Sequence, residues 1–303
     1  MIYLVTGGAG FIGSNLVEEL LKNNHKVIVI DDFSTGKKEN LTENRNLTIS
    51  KKSILDDLNN IPKKEEIECV FHLAALPRVQ FSIKNPIITH NANVNGTLNL
   101  LNFCKENNIK KFIFSSSSSI YGDQKVLPLK ENLIPNPMSP YALHKLIGEY
   151  YCKIYNKIFH IETIALRYFN VYGPKQDHDG EYSCLIPKFI KLIKNNISPI
   201  INGSGEQRRD FTFVSDVVNA NISASKIKDK EFFGDAFNIG SGKNFSVNDV
   251  TNMILKLTNK TIKPTYGNSV IEPKETLADI TKAKEILSWE PKISLEEGIK
   301  RII

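Results

Sequence analysis

Five consecutive serines, Ser115 to Ser119, stand between "KKFIF" and "IYGD". At a site, one such hydroxyl can hydrogen-bond a substrate oxygen; in a low-complexity linker all five are bystanders. About 25 residues later, "SPYALHK" sets Tyr141 and Lys145 four apart. On a helix those two lie on one face. An ammonium beside a phenol favours the phenolate, so the Tyr141 pKa is expected to fall toward working pH, as a general base requires. In isolation the pair is better read as an interfacial tyrosine beside a solvated lysine. A third feature bears on the choice. "VTGGAGFIG" spaces Gly7, Gly10 and Gly13 as G-x-x-G-x-x-G between an apolar run and an amphipathic pattern. Such glycines permit a tight turn, bring backbone N–H groups to a pyrophosphate at a helix N-terminus and let that helix pack closely. Asp31 follows 18 residues after Gly13, where an acceptor for ribose hydroxyls belongs. A carboxylate there repels a 2′-phosphate, which favours NAD over NADP. The other reading of Asp31 is a turn residue opening "DDFSTG".

The elements that must position these residues alternate. Apolar, β-branched runs occur at Ile2–Val5, Lys26–Ile30, Cys69–Leu73, Lys111–Phe114 and Glu162–Arg167. Helical patterns lie near Ile12–Lys22, Ile87–Glu106 and Pro140–Tyr155. Continuous apolar strands alternating with helices predict an α/β fold with a doubly wound parallel sheet. Ser139 suits a helix N-cap and Pro140 the first helical position. The serine run then sits at the carboxyl end of a buried strand, the edge where such sheets carry function. The second half is less regular, with "DAFNIGSG" (235–242) reading as one more strand.

The chain has 303 residues, 41% hydrophobic and 24% charged, with net charge +6. That length fits one large domain or two lobes. Lysines are spread rather than clustered, which argues against nucleic-acid binding. Cys69, Cys104, Cys152 and Cys184 are far apart, and the histidines show no ligand spacing with them. A reducing, cytoplasmic setting with no disulfide framework and no metal is expected. "MIYLVTGGAG" has neither the basic region nor the apolar length of a signal peptide, and no apolar run is long enough to span a membrane.

The glycine loop, the serine-ended strand and Tyr-x-x-x-Lys together resemble the extended short-chain dehydrogenase/reductase family, closest to its NAD-dependent nucleotide-sugar epimerase branch. The likeness runs nearly end to end, through "TGGAGFIGSNL", "DDFSTG", "HLAAL", "NVNGTLNLL", "SSSSSIYGD", "LRYFNVYGP", "GEQRRDF", "NIGSG" and "ADITKAKEILSWEPKISLEEGI". It implies a Rossmann-type NAD-binding domain over residues 1–170, to which about 211–242 returns, and a smaller nucleotide-sugar lobe over 171–303. In this family the catalytic Ser or Thr stands four residues before the Tyr of a Tyr-Gly pair, which from Tyr121 gives Ser117. Ser117, Tyr141 and Lys145 are then the catalytic set. The next two positions carry Asp-Glu in related dehydratases, and Glu at the second in related decarboxylases. Here they are Ser118 and Ser119, and a hydroxyl cannot replace a carboxylate as base near neutral pH. The implied activity is a 4-epimerase of UDP-hexoses or UDP-N-acetylhexosamines. Tyr141 takes the O4 proton, hydride leaves C4 to NAD and returns to the other face, and Lys145 contacts the nicotinamide ribose. The alternatives are another nucleotide-sugar dehydratase or reductase, and a non-catalytic NAD-sensing regulator.

The resemblance implies further roles. Phe11 and Ile12 belong with the glycine loop, Asp32 with Asp31, and Leu73, Ala74 and Ala75 with the cofactor wall. Asn93 reads either as a cofactor-site residue or as a packed helix-interior amide. Ser118, Asn170, Ile201 and Arg209 are implied for substrate, Arg209 as a forked phosphate donor, while Arg208 reads as a solvated charge. Three departures stand out. Ser53, before Ile54 in the adenine-contacting segment, replaces the usual Asp. "SVIE" (269–272) replaces an R-x-G-D phosphate clamp, leaving Ser269 and Glu272, with Lys274 nearby. Thr276 stands where a bulky Tyr limits relatives to plain hexoses, which implies room for an N-acetyl group. Helix 141–155 is apolar nearly all round, through Leu143, Leu146, Ile147, Tyr150, Tyr151, Ile154 and Tyr155. That implies burial on two sides: a homodimer with the 90–104 helix, as in relatives, or cover by the C-terminal lobe.

Overall fold

The computed structural model describes residues 1–177, 184–269 and 273–303. The first half holds β1 (Ile2–Thr6), α1 (Phe11–Lys22), β2 (Lys26–Asp31), β3 (Leu47–Lys51) and β4 (Ile67–His72). There follow α2 (Val79–Lys84), α3 (Pro86–His90), a π-helical turn over Asn91–Asn95, and α4 (Gly96–Glu106). Next come β5 (Lys111–Ser117), a 3-10 turn over Ser118–Tyr121, α5 (Pro140–Phe159) and β6 (Glu162–Tyr168). The second half contributes β7 (Val171–Tyr172), α6 (Leu185–Lys194), β8 (Ile200–Asn202), β9 (Arg208–Asp210), β10 (Thr212–Phe213) and α7 (Val214–Ser225). It ends with β11 (Ala236–Ile239), β12 (Asn244–Ser246), α8 (Val247–Leu257), β13 (Thr265–Gly267), α9 (Thr281–Leu287) and α10 (Leu295–Lys300).

Seven parallel strands form one sheet in the order β11-β6-β5-β4-β1-β2-β3. Strand order reverses between β1 and β4, so the loops leaving these two strands face one crevice. Along β1, Tyr3 and Val5 enter one apolar cluster with residues of α1 and α7, while Ile2 and Leu4 enter another with residues of α4 and α5. Burial on both faces is why these strands read as unbroken apolar runs. Each fully buried Leu, Ile or Phe contributes roughly 1.5–3 kcal/mol. A third cluster, including Phe189, Phe213, Ile254 and Ile299, centres the C-terminal part with its three small two-stranded sheets.

Two elements differ from the sequence expectation. β5 runs to Ser117, three residues past its apolar part, because β6 pairs with it up to Tyr168. The helix expected over 87–106 is broken into α3, the π turn and α4. Thr97 Oγ1 donates to the Asn93 carbonyl at 2.7 Å, and Gly96 has no room for a Cβ, which would stand 2.5 Å from Ile54 Cδ1. Such single-turn widenings recur at functional sites.

Candidate active site

The glycine loop is built against the loop that leaves β4. Gly7 has φ +67°, and a Cβ there would lie 2.7 Å from Ala74 N. A Cβ on Gly13 would run into the Gly7 carbonyl oxygen. Gly10 caps α1, so the free N–H groups of the first turn open beside a side-chain-free cradle, as an anion requires. Asp31 ends β2 with 7% of its surface exposed. Its carboxylate accepts from Ala9 N and Phe33 N, each at 2.9 Å. Burial raises its pKa and the two N–H groups oppose that rise. Two of its acceptor positions remain for ribose hydroxyls. Asp32 is exposed and accepts from Ser34 N. Phe11 and Ile12, at the start of α1, pack toward the C-terminal core. Cradle, helix end and acid have the make-up of a dinucleotide site.

The facing loop after β4 carries Leu73, Ala74 and Ala75, all half-buried. Asn93, 3% exposed, accepts from Leu76 N at 2.7 Å and donates to Leu76 O at 3.1 Å. Its amide is spent on this loop, so Asn93 shapes the wall. The π turn is what aims it there. Ser53 forms a local turn with Leu55 and Asp56, and the Ile54 side chain is packed in the core against Gly96.

Three adjacent serines take three different partners. Ser115 Oγ shares a hydrogen bond with Tyr168 OH at 3.0 Å. Ser116 Oγ donates to Glu149 Oε1. Ser117 hydrogen-bonds the Tyr141 phenol and accepts from Ser119 Oγ at 2.9 Å and Ser119 N at 3.2 Å. Ser118, half-buried, opens the 3-10 turn. Ser139 caps α5 through Ala142 N, and Pro140 begins the helix. The Tyr141 N–H donates to Ser82 Oγ on α2, a helix the sequence did not signal.

One expectation is reversed. The Tyr141 pKa is raised, not lowered: burial dominates, the Ser117 bond and the Arg78 charge oppose it, and Cys184 adds to it. Lys145 lies 6.0 Å from the Tyr141 ring centre, and its Nζ donates to Ser115 O at 2.6 Å. Burial pushes the Lys145 pKa down to about 8. Phenol and amine are thus both held toward their neutral forms.

On the substrate side, Asn170 has φ +25° and donates from Nδ2 to Asp210 O at 2.9 Å. That places it beside Arg209, whose Nη1 donates to Arg208 O at 2.9 Å. Arg208, its side chain 39% exposed, faces Asp249 at 3.5 Å and donates to Asn244. Thr276 is buried, and its Oγ1 has no partner among the described residues. Ile201 corrects the expectation of a substrate contact. It is 1% exposed and packed in the third core cluster, because β8 turns it inward. Ser269 is exposed near Gly203, Lys274 gives its carbonyl to Arg208 N, and Glu272 lies outside the described residues. Arg78, Cys184, Glu149 and Arg167 escaped the sequence reading because their partners are remote in the chain.

A family model described as "NAD dependent epimerase/dehydratase family" matches residues 3–240. The structure of the Thermotoga maritima UDP-glucose 4-epimerase with UDP-glucose is similar at TM-score 0.93 and 39% identity, over 99% of this chain and 97% of that one. The UDP-N-acetylglucosamine 4-epimerase of Methanobrevibacter ruminantium, in complex with UDP-N-acetylmuramic acid, is similar at TM-score 0.92 and 38% identity, over 99% and 96%. The UDP-glucuronate 4-epimerase of Thermodesulfobacterium geofontis is 36% identical, over 99% of this chain and 94% of its own. Other matched proteins are decarboxylases of UDP-linked uronic acids.

Proposed function

The chain belongs to the NAD-dependent epimerase/dehydratase family, an enzyme family acting on nucleotide sugars, and from that premise we propose that it is a UDP-sugar 4-epimerase for a UDP-hexose or UDP-N-acetylhexosamine. The observation that carries this reading is the hydroxyl pair Ser117–Tyr141 with only Ser118 and Ser119 after it. Those residues can move a proton at one sugar hydroxyl and have no carboxylate to expel water.

The Gly7–Gly13 loop, with Phe11 and Ile12, would hold the pyrophosphate of NAD, Asp31 and Asp32 the adenosine ribose, and Leu73, Ala74 and Ala75 the crevice wall. Bound there, NAD would supply a reversible hydride acceptor for C4. Ser117 orients O4 toward Tyr141, whose phenolate takes the O4 proton and later returns it to the same oxygen. The buried setting raises the phenol pKa, so added positive charge near it is required, from Lys145 and from the pyridinium of the oxidised cofactor. Asn170 and Arg209 would anchor the diphosphate while the 4-keto sugar turns over. Thr276, smaller than the Tyr that limits relatives to plain hexoses, is the position through which a C2 substituent would be admitted. Residues 1–170, joined by about 211–242, would serve the cofactor, and 171–303 mainly the UDP-sugar. A homodimer through the outer face of α5 and a reducing, cytoplasmic setting complete the reading, the latter supported by four unpaired thiols.

The test is direct. Incubation with UDP-glucose, UDP-N-acetylglucosamine, UDP-glucuronate and dTDP-glucose, followed by NMR, is expected to give C4 epimers of UDP-sugars at unchanged mass. A 4-keto-6-deoxy sugar or a pentose as the main product overturns the reading.

A further inference from the structure

Arg78 stands at the cap of α2, where the loop leaving β4 turns toward the catalytic helix. Its carbonyl accepts from Ser82 N at 2.9 Å, and Ser82 Oγ accepts from Tyr141 N at 3.1 Å. The base of this side chain is therefore fixed to the first turn of α5. At the far end, Nη1 meets Cys184 Sγ at 3.2 Å, just before α6. The guanidinium thus spans from the β4 loop to the head of α6. Arg78 and Cys184 both act electrostatically on the Tyr141 phenol.

Its partners are unusual. A guanidinium offers five N–H donors in a rigid fork, and a thiol is a weak acceptor for one of them. Arg167, also withdrawn from solvent, faces the carboxylate of Glu149. Arg78 is half-buried, and among the described residues no carboxylate lies within ion-pair distance of it. A cation drawn into a cleft without a counter-ion is costly, and an anion supplied by a ligand relieves that cost.

Two anionic groups of a UDP-sugar compete for it, a carboxylate at C6 and the diphosphate at C1. If Ser117 and Tyr141 work at O4, the neighbouring ring atom C5 carries the C6 group, whereas C1 lies across the ring. We infer that Arg78 receives the carboxylate of a UDP-hexuronic acid, which makes the acidic form of the sugar the preferred substrate. This rests on the 4-epimerase reading above and, within it, moves the preferred sugar from a plain UDP-hexose to its C6-oxidised form.

The experiment compares kcat/KM for UDP-glucuronate and UDP-glucose in the wild type, Arg78→Met and Arg78→Lys, with calorimetric titration of UDP. The wild type is expected to favour UDP-glucuronate at least about tenfold. Arg78→Met should lower the uronate-to-hexose ratio about 100-fold, and Arg78→Lys, a charge without the fork, about tenfold. UDP affinity should stay within about twofold, since the diphosphate is held elsewhere. Equal losses on both sugars, weakened UDP binding or a wild-type preference for UDP-glucose would each overturn the inference. Should Arg78→Met fail to melt cooperatively, the ratio in Arg78→Lys decides. Turnover of UDP-glucose with an unchanged ratio sinks this inference alone; no C4 epimer from any UDP-sugar sinks the epimerase reading itself.

Discussion

Ser116 Oγ donates to Glu149 Oε1 at 2.5 Å, one residue before Ser117 and one helical turn after Lys145. The same carboxylate receives Arg167 through Nε at 2.9 Å and Nη2 at 2.7 Å. Lys145 holds Ser115 O from the preceding turn. Two turns of α5 are thereby pinned to two successive residues of β5, and this fixes where the Ser117 and Tyr141 hydroxyls meet. Glu149 and Arg167 act through those residues, as positioning groups.

Glu149→Gln leaves Arg167 buried without its counter-charge. A loss of about 3 kcal/mol in unfolding free energy is expected by urea denaturation. The Glu149→Met/Arg167→Met pair should lose clearly less than the sum of the singles. In the surviving folded fraction of Glu149→Gln, kcat falls about tenfold while KM holds; a KM effect alone would contradict a positioning role.

Tyr141 should ionise above the ordinary tyrosine pKa in the protein without ligands, because burial outweighs the Ser117 bond. Ultraviolet titration of wild type minus Tyr141→Phe isolates this one phenol. Ser117→Ala removes a contact that favours the phenolate, so its step moves higher still. Tyr141→Phe should cost at least about 100-fold in kcat.

Lys145 gives stability a pH dependence of known sign. Its native pKa, about 8, lies below the ordinary lysine value of 10.5. Below about 8 both folded and unfolded chains carry the proton. Between these values the unfolded chain holds a proton that the folded one has lost, so this group's contribution rises with pH. The stability difference, wild type minus Lys145→Met, is expected to grow by roughly 2 kcal/mol from pH 7.5 to pH 10. A flat difference would show that the amine is not withheld from solvent as described.

Asn93→Leu removes both bonds to Leu76 and frees the loop that faces the glycine cradle. Retention of NAD after dialysis should drop about tenfold, with a stability loss of roughly 1–3 kcal/mol. Full retention would return Asn93 to an ordinary packing role.

The outer face of α5 exposes Leu143, Tyr150, Ile154 and Ile158 at 46, 57, 46 and 59%. The spacing makes one apolar stripe. Light scattering should give a dimer for the wild type and a monomer for Ile154→Asp. A monomeric wild type would contradict the proposed assembly.

The sequence displayed what is local. β1, the glycine loop, α1 and Asp31 lie within 31 residues, and apolar runs plus glycine spacing suffice to read them. The serine-ended strand and the start of α5 were equally legible from a buried run and a Ser-Pro cap. What stayed hidden depends on distance in the chain or on burial. Arg78 and Cys184 are 106 positions apart. β5 continues into serines only because β6 runs beside it. Asn91, Asn93 and Gly96 gave no warning that a helix would widen there. Ile201 looked available until β8 turned it inward. The Tyr141 pKa went the other way because the i+4 lysine is visible in a sequence, whereas full desolvation is not.

The return of β11 to the edge of the sheet sets a timetable for synthesis. Strand β6 ends at Tyr168, and its outer neighbour ends at Ile239, about seventy residues later. At 5–20 residues per second, a ribosome needs roughly 4–14 s to supply that strand. During this interval β6 presents an unpaired parallel edge, the kind of surface that recruits other chains. The nascent protein therefore passes through a window in which the edge beside the catalytic strand is open to other chains.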